Sequence, residues 1–226
     1  MTSTLDTRLA ALRARMAATN TDLVVIGPSS HMIYLADLAP HGDERPVMLM
    51  ISASFAGFLM PILNVDSSRQ HTDLPFFPWA DADGPSAALD ELLTATGIDR
   101  TAPSIVLDET MRADFALLVL DTLPGATRRF TNDTVGYLRS RKDETEYRAL
   151  KAAHLLNDRA VAAAFAALKP GMTELDVATF IGAFYKDNGA TTEFCSVCFG
   201  PNGAFPHHHT GDTPLKAGDA VLIDTG

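Results

Sequence analysis

Along the first 135 residues, short apolar runs bounded by turn residues alternate with segments whose apolar positions recur every three or four residues. "TDLVVIG", "PVMLMIS", "GFLMPIL" and "PSIVLDE" are read as strands, with "ATRRFT" a further short one and "HMIYLADL" another apolar segment of the series. Leu5, Leu9, Leu12 and Met16 make one apolar stripe, which predicts an opening helix. "GPSAALDELLTATGI" predicts a helix with Pro85 at its start and Gly97 near its end, and "MRADFALLVLDTLPG" one closed by Pro124-Gly125. Strands and helices alternating at this spacing predict an α/β domain over residues 1–135.

A different texture follows over residues 136–226. The stretch opening "DTVGYLRSRKDETEYRALKAAHLL" reads as one long helix, "KPGMT" as a break, and "ELDVATFIGAFYKDNGA" as a second helix. Pro170-Gly171 stops the first helix, and Thr173 with Asp176 three residues on resembles a capping box with Asp in place of Glu or Gln. "TTEFCSVCFG", "GAFPHHHT" and "DAVLIDTG" then read as strand-like runs separated by turn residues. Helices followed by strands predict an α+β second domain.

Composition removes several classes of function. Asp and Glu outnumber Lys and Arg, 28 to 18, for a formal net charge of −10, which argues against a nucleic-acid or anionic-membrane surface. No apolar stretch reaches the roughly 18–20 residues of a membrane span, and the amphipathic N-terminus lacks the continuous apolar core of a signal peptide. The protein is accordingly read as cytoplasmic. Two cysteines, Cys195 and Cys198, offer no disulfide framework.

Three stretches carry candidate chemistry. "CSVC" lies in a strand-like run, where residues three apart point to opposite faces, and reads as two small buried thiols rather than a redox or zinc motif. In "HHH", neighbouring histidines on an extended segment alternate sides, so His207, His208 and His209 cannot all aim at one metal; one of them acting in a site, or a polar loop, are both open. In "VLIDTG" an apolar run delivers Asp224 to a small-residue turn, a usual place for a metal ligand or a catalytic acid. An aspartic-peptidase reading of this motif conflicts with the helices before it, and a strand-end Asp capping a turn is the plain alternative. No Walker, G-x-S-x-G, H-E-x-x-H or G-x-G-x-x-G pattern occurs, and "GPNG" reads as a turn signal.

Taken together, "RLAALRARMAATNTDLVVIGPSSHMIYLADL", "LRSRKDETEYRALKAAHLLNDRA", "LKPGMTELDVA" and "FGPNGAFPHHHTGDTPLKAGDAVLIDTG" resemble the creatinase, prolidase and Xaa-Pro aminopeptidase family of pita-bread metallohydrolases. The resemblance covers nearly the whole chain. It implies a creatinase-like, ribonuclease H-like N-terminal α/β domain with a "Tyr-Leu" strand, followed by the first part of an α+β pita-bread catalytic domain. It implies that Asp224 is the first carboxylate of a dinuclear metal site and that His207, 17 residues earlier, is the catalytic histidine lining the substrate pocket. Two divalent ions, Mn²⁺ first with Co²⁺ or Zn²⁺ as alternatives, would activate a bridging water and clamp the transition state. The substrate so implied is a small peptide with an Xaa-Pro bond, and the assembly a homodimer. The alternatives are a non-peptide small-molecule substrate, as in creatinase-like hydrolases or lyases, and a metal-free binding module. The family's second metal Asp, a later His and two Glu would all lie beyond Gly226. The chain as written is therefore expected to be an N-terminal portion, inactive by itself, without bound metal and prone to self-association.

Overall fold

The computed structural model describes residues 4–226. The chain divides into two compact units, the first ending at Arg141 and the second spanning Lys142–Gly226.

The first unit runs α1 (Thr4–Ala18), β1 (Leu23–Ile26), α2 (Ser30–Ala36), β2 (Met48–Ile51), β3 (Ala56–Pro61), α3 (Ile62–Ser68), β4 (Phe76–Trp79), α4 (Ser86–Thr96), β5 (Ser104–Leu107), α5 (Ala113–Thr122), β6 (Thr127–Phe130) and α6 (Val135–Arg139). Its strands form one mixed sheet in the order β4-β3-β2-β1-β5-β6. The β1–β2 and β2–β3 pairs are antiparallel; β1–β5, β3–β4 and β5–β6 are parallel. Val24, Ile26, Leu49, Ile51 and Phe58 face one side, where they bury Leu9, Leu12 and Met16 of α1 and Met32 and Leu35 of α2. Leu23, Val25, Met48, Met50 and Ile105 face the other, against Leu89, Leu92 and Leu93 of α4 and Phe115 and Val119 of α5. Both faces are covered, which is why β1 and β2 are unbroken apolar runs. Each such side chain contributes roughly 1.5–3 kcal/mol by leaving water. Pro78 sits on the edge strand β4, where a missing N–H interrupts no second ladder.

The apolar segment expected as a "Tyr-Leu" strand is helix α2. Ser29 caps it by accepting from the His31 N–H, and Met32, Leu35 and Ala36 fall on one buried face at helical spacing. "GFLMPIL" is likewise divided: the strand ends at Pro61 and α3 begins at once.

The long helix expected from residue 133 onward is two helices. The boundary placed between residues 135 and 136 falls inside α6, whose Val135 is buried in the first unit's core. The chain breaks over residues 140–143 and starts again at α7 (Glu144–Ala167), with Asp143 and Glu146 forming a capping box. The second unit continues with α8 (Glu174–Asp187), β7 (Cys195–Phe199), a 3-10 turn over Gly200–Ala204 and β8 (Val221–Thr225). The capping box read at Thr173 and Asp176 is present. β7 and β8 form an antiparallel ribbon, with Ser196 opposite Asp224 and Phe199 opposite Val221. Two strands alone are marginal in water; here Val197 and Phe199, with Val221 and Ile223, pack on Ala160 and Ala164 of α7 and Val177, Ile181 and Tyr185 of α8.

"GAFPHHHT" forms no third strand. The outward amides of β7 are already taken by side chains: the Val197 N–H donates to Thr210 Oγ1 (2.8 Å) and the Phe199 N–H to Glu174 Oε1 (2.8 Å). No helix among the described residues is long and apolar enough to cross a membrane.

Candidate active site

The centre of the second unit's polar structure is Glu174, the first residue of α8, whose side chain has no exposed surface. Its Oε1 accepts from the Phe199 N–H and from Asn202 Nδ2, both at 2.8 Å. Its Oε2 accepts from His208 Nε2 at 2.8 Å and from the Gly211 N–H at 3.1 Å. Burial by itself pushes this carboxyl up, but the bonds from Asn202, His208, Phe199 and Gly211 outweigh it and hold the group below the usual carboxylate range. Glu174 is thus an ionised acceptor, which requires His208 to donate from Nε2.

The backbone around Glu174 holds the same loop. The first-turn N–H groups of α8, which a helix leaves without internal partners, donate outward: Glu174 N to Thr213 O and Leu175 N to Gly211 O. Gly171 N donates to Leu215 O, and Leu215 N returns a bond to Met172 O. Asn202, from the "GPNG" read only as a turn, also donates to Thr213 Oγ1. Gly200 precedes it at φ +51°, where a Cβ would stand 3.0 Å from Asp219 Oδ1.

His207 is exposed at the corner of a turn closed by the His208 N–H donating to Phe205 O. Pro206 and His207 occupy its two central positions, and proline suits the first of them. Asp224 is exposed on β8, whose side chains alternate: Val221, Ile223 and Thr225 turn inward while Leu222 and Asp224 face out. β8 is therefore half-buried rather than the buried strand its apolar run indicates. Among the described residues, no hydrogen bond or ion pair joins His207 to Asp224. Cys195 and Cys198 are free thiols on opposite faces of β7, one half-buried and one buried; burial pushes the Cys195 thiol up.

The donor set around Asp224 is too small to hold a metal pair: among the described residues no group of three close ligand atoms includes it. The one such group is His31, Asp108 and Glu109 in the first unit. Its atoms are already committed. Asp108 accepts from Ser29 Oγ and from the Thr110 N–H and Oγ1, Glu109 accepts from Thr131 Oγ1, and the Arg139 guanidinium stands on His31 Nδ1. A fixed cation inside a saturated network opposes a second one, so this cluster is structural.

Residues 148–226, which contain Glu174, His207 and Asp224, match metallopeptidase family M24. A probable dipeptidase PepE of Mycobacterium tuberculosis is 31% identical over 225 aligned residues, covering 97% of this chain and 58% of that protein. The crystal structure of dipeptidase PepE from Mycobacterium ulcerans superposes with a TM-score of 0.90 at 30% identity, over 100% of this chain and 61% of the other. A dipeptidase structure from Pyrococcus horikoshii gives 0.84 at 27% identity, over 97% and 61%. The chain thus spans about three-fifths of the length of these relatives, and its fold is that of the corresponding part of a pita-bread peptidase.

Proposed function

We propose that this chain is the amino-terminal portion of a metal-dependent dipeptidase that hydrolyses small peptides, with Xaa-Pro dipeptides as the favoured substrates. The observation that carries this reading is the placement of His207 and Asp224, exposed on two elements of one buried frame, in a chain similar to probable and crystallised dipeptidases along its full length. Asp224 would contribute one carboxylate to a dinuclear site, with Mn²⁺ the ion best suited to oxygen ligands. Metal ions of such a site, when bound, supply a water of lowered pKa and a Lewis acid for the scissile carbonyl. His207, at its turn corner, would hydrogen-bond the reacting group of the substrate. The remaining ligands would come from outside these 226 residues. A homodimer and a cytoplasmic location belong to the same reading.

The test is hydrolysis of an Xaa-Pro dipeptide by the gene product from its own host, with added Mn²⁺ and with Asp224→Asn and His207→Ala variants. Proline release that falls at least ~10²-fold in both variants supports the assignment. Release unaffected by either substitution, or no release from any dipeptide, overturns it.

A further inference from the structure

We propose that Glu174 is the positioning residue of this site: its buried carboxylate holds the Phe205–Gly211 segment against the end of β7 and so sets where the imidazole of His207 stands. The inference rests on the reading of His207 given above.

Three features carry it. A carboxylate offers about four acceptor sites, and Glu174 fills them from four different places: the end of β7, the 3-10 turn, His208 and Gly211. With its acceptors filled the group has one orientation, and its donors are fixed relative to one another. Second, backbone and side chain grip the same loop, since Leu175 N also donates to Gly211 O. The carboxylate thus holds the peptide group before Gly211 and the Leu175 N–H the one after it, so Gly211 is tied to the start of α8 on both sides. Third, the turn that presents His207 is closed at His208, the very residue whose ring is held on Oε2. His208 becomes a strut turned inward at 20% exposure, while His207 at the turn corner faces solvent. Removing the carboxylate frees one end of that turn and leaves buried N–H groups without partners.

The experiment is a mutant cycle in the gene product from its own host, assayed for dipeptide hydrolysis. Glu174→Gln is expected to lower kcat by ~10²-fold, the order a displacement of about 1 Å brings, with KM little changed. The Glu174→Gln/His207→Ala double variant should be no slower than His207→Ala, because Glu174 acts through His207. Multiplicative losses in the double variant overturn the proposal. Should Glu174→Gln fail to fold, His208→Ala and His208→Gln replace it. The Gln amide nitrogen can take the place of Nε2, so His208→Gln should restore kcat that His208→Ala loses; equal losses overturn the proposal. If the wild type cleaves no dipeptide, the proposed function falls, and amide exchange of the Phe205–Gly211 peptide decides about Glu174. Protection in wild type and His208→Gln but not in Glu174→Gln or His208→Ala upholds the clamp, and equal protection in all four overturns it.

Discussion

Arg139 Nη1 lies 2.9 Å from His31 Nδ1, tying the last residue of α6 to the first turn of α2. A guanidinium only donates, so Nδ1 accepts and the ring's proton sits on Nε2, 3.4 Å from Thr131 Oγ1, which in turn donates to Glu109. The chain of bonds runs in one direction, and a proton added at Nδ1 would face the guanidinium.

This geometry makes the first unit sensitive to mild acid. Burial lowers the His31 pKa and Arg139 lowers it further, while Asp108 and Glu109 oppose them without prevailing. The unfolded chain takes up a proton near pH 6.5, and the folded chain does so only at lower pH. Stability is therefore complete above about 6.5 and falls as pH drops from there toward the folded pKa, by at most ~1.4 kcal/mol per pH unit. Trp79, the single tryptophan, lies in this unit and reports its unfolding. Urea melts followed by Trp79 fluorescence should show a smaller loss between pH 7.5 and 5.5 for His31→Asn, whose Oδ1 can accept from Arg139 but cannot titrate.

Gly200→Ala tests the turn that carries Asn202. The φ of +51° and the 3.0 Å approach to Asp219 Oδ1 together leave no comfortable place for a methyl group. A left-handed conformation alone costs a non-glycine residue roughly 1–2 kcal/mol. The second unit should lose at least that much, read as faster exchange of the α8 and β7 amides; exchange unchanged from wild type would contradict the account.

Thr173→Ala removes the side chain that accepts from the Asp176 N–H, and Asp143→Ala does the same at Glu146. Each loss is expected to cost about 1 kcal/mol. The two should differ in reach: Thr173 precedes Glu174, so its loss should also loosen the Phe205–Gly211 segment, while Asp143→Ala should fray only the first turn of α7. Exchange rates at the two helix starts and at that segment distinguish the cases.

The outer side of the β7–β8 ribbon carries an apolar patch beside Ser196 and Asp224. Phe165, Cys198 and Leu222 line one groove, and Phe194, Phe205 and Leu222 are all about half exposed. Exposed apolar surface of this kind drives association. The 226-residue chain produced alone should sediment as concentration-dependent oligomers, and Leu222→Lys should shift it toward monomer. A monodisperse wild-type monomer would contradict this.

Much of the fold can be read locally. The alternation of apolar runs and helical stripes marks β1, β2, β5, α1, α4 and α5, and the Pro170-Gly171 break with its Thr173 cap marks the start of α8. The segment "HMIYLADL" could not be assigned this way, because a short apolar stretch suits strand and helix alike until Ser29 and the sheet beside it decide. The candidate site divides similarly. His207 and Asp224 stand out by motif, but Glu174 does not: an acid in the first turn of a helix usually faces water and the helix dipole, and nothing nearby marks this one as buried.

The sequence by itself determined the two-part α/β and α+β organisation, the cap at Thr173 and the resemblance to a metallohydrolase family, since each is written in residues a few positions apart. Only the tertiary structure decided that His208 is a strut, that Asn202 is more than a turn residue and that Glu174 holds both. The four donors to that carboxylate lie 25 to 37 residues along the chain from it. A buried charge is recognised by the partners that surround it, and those partners meet only after the chain has folded.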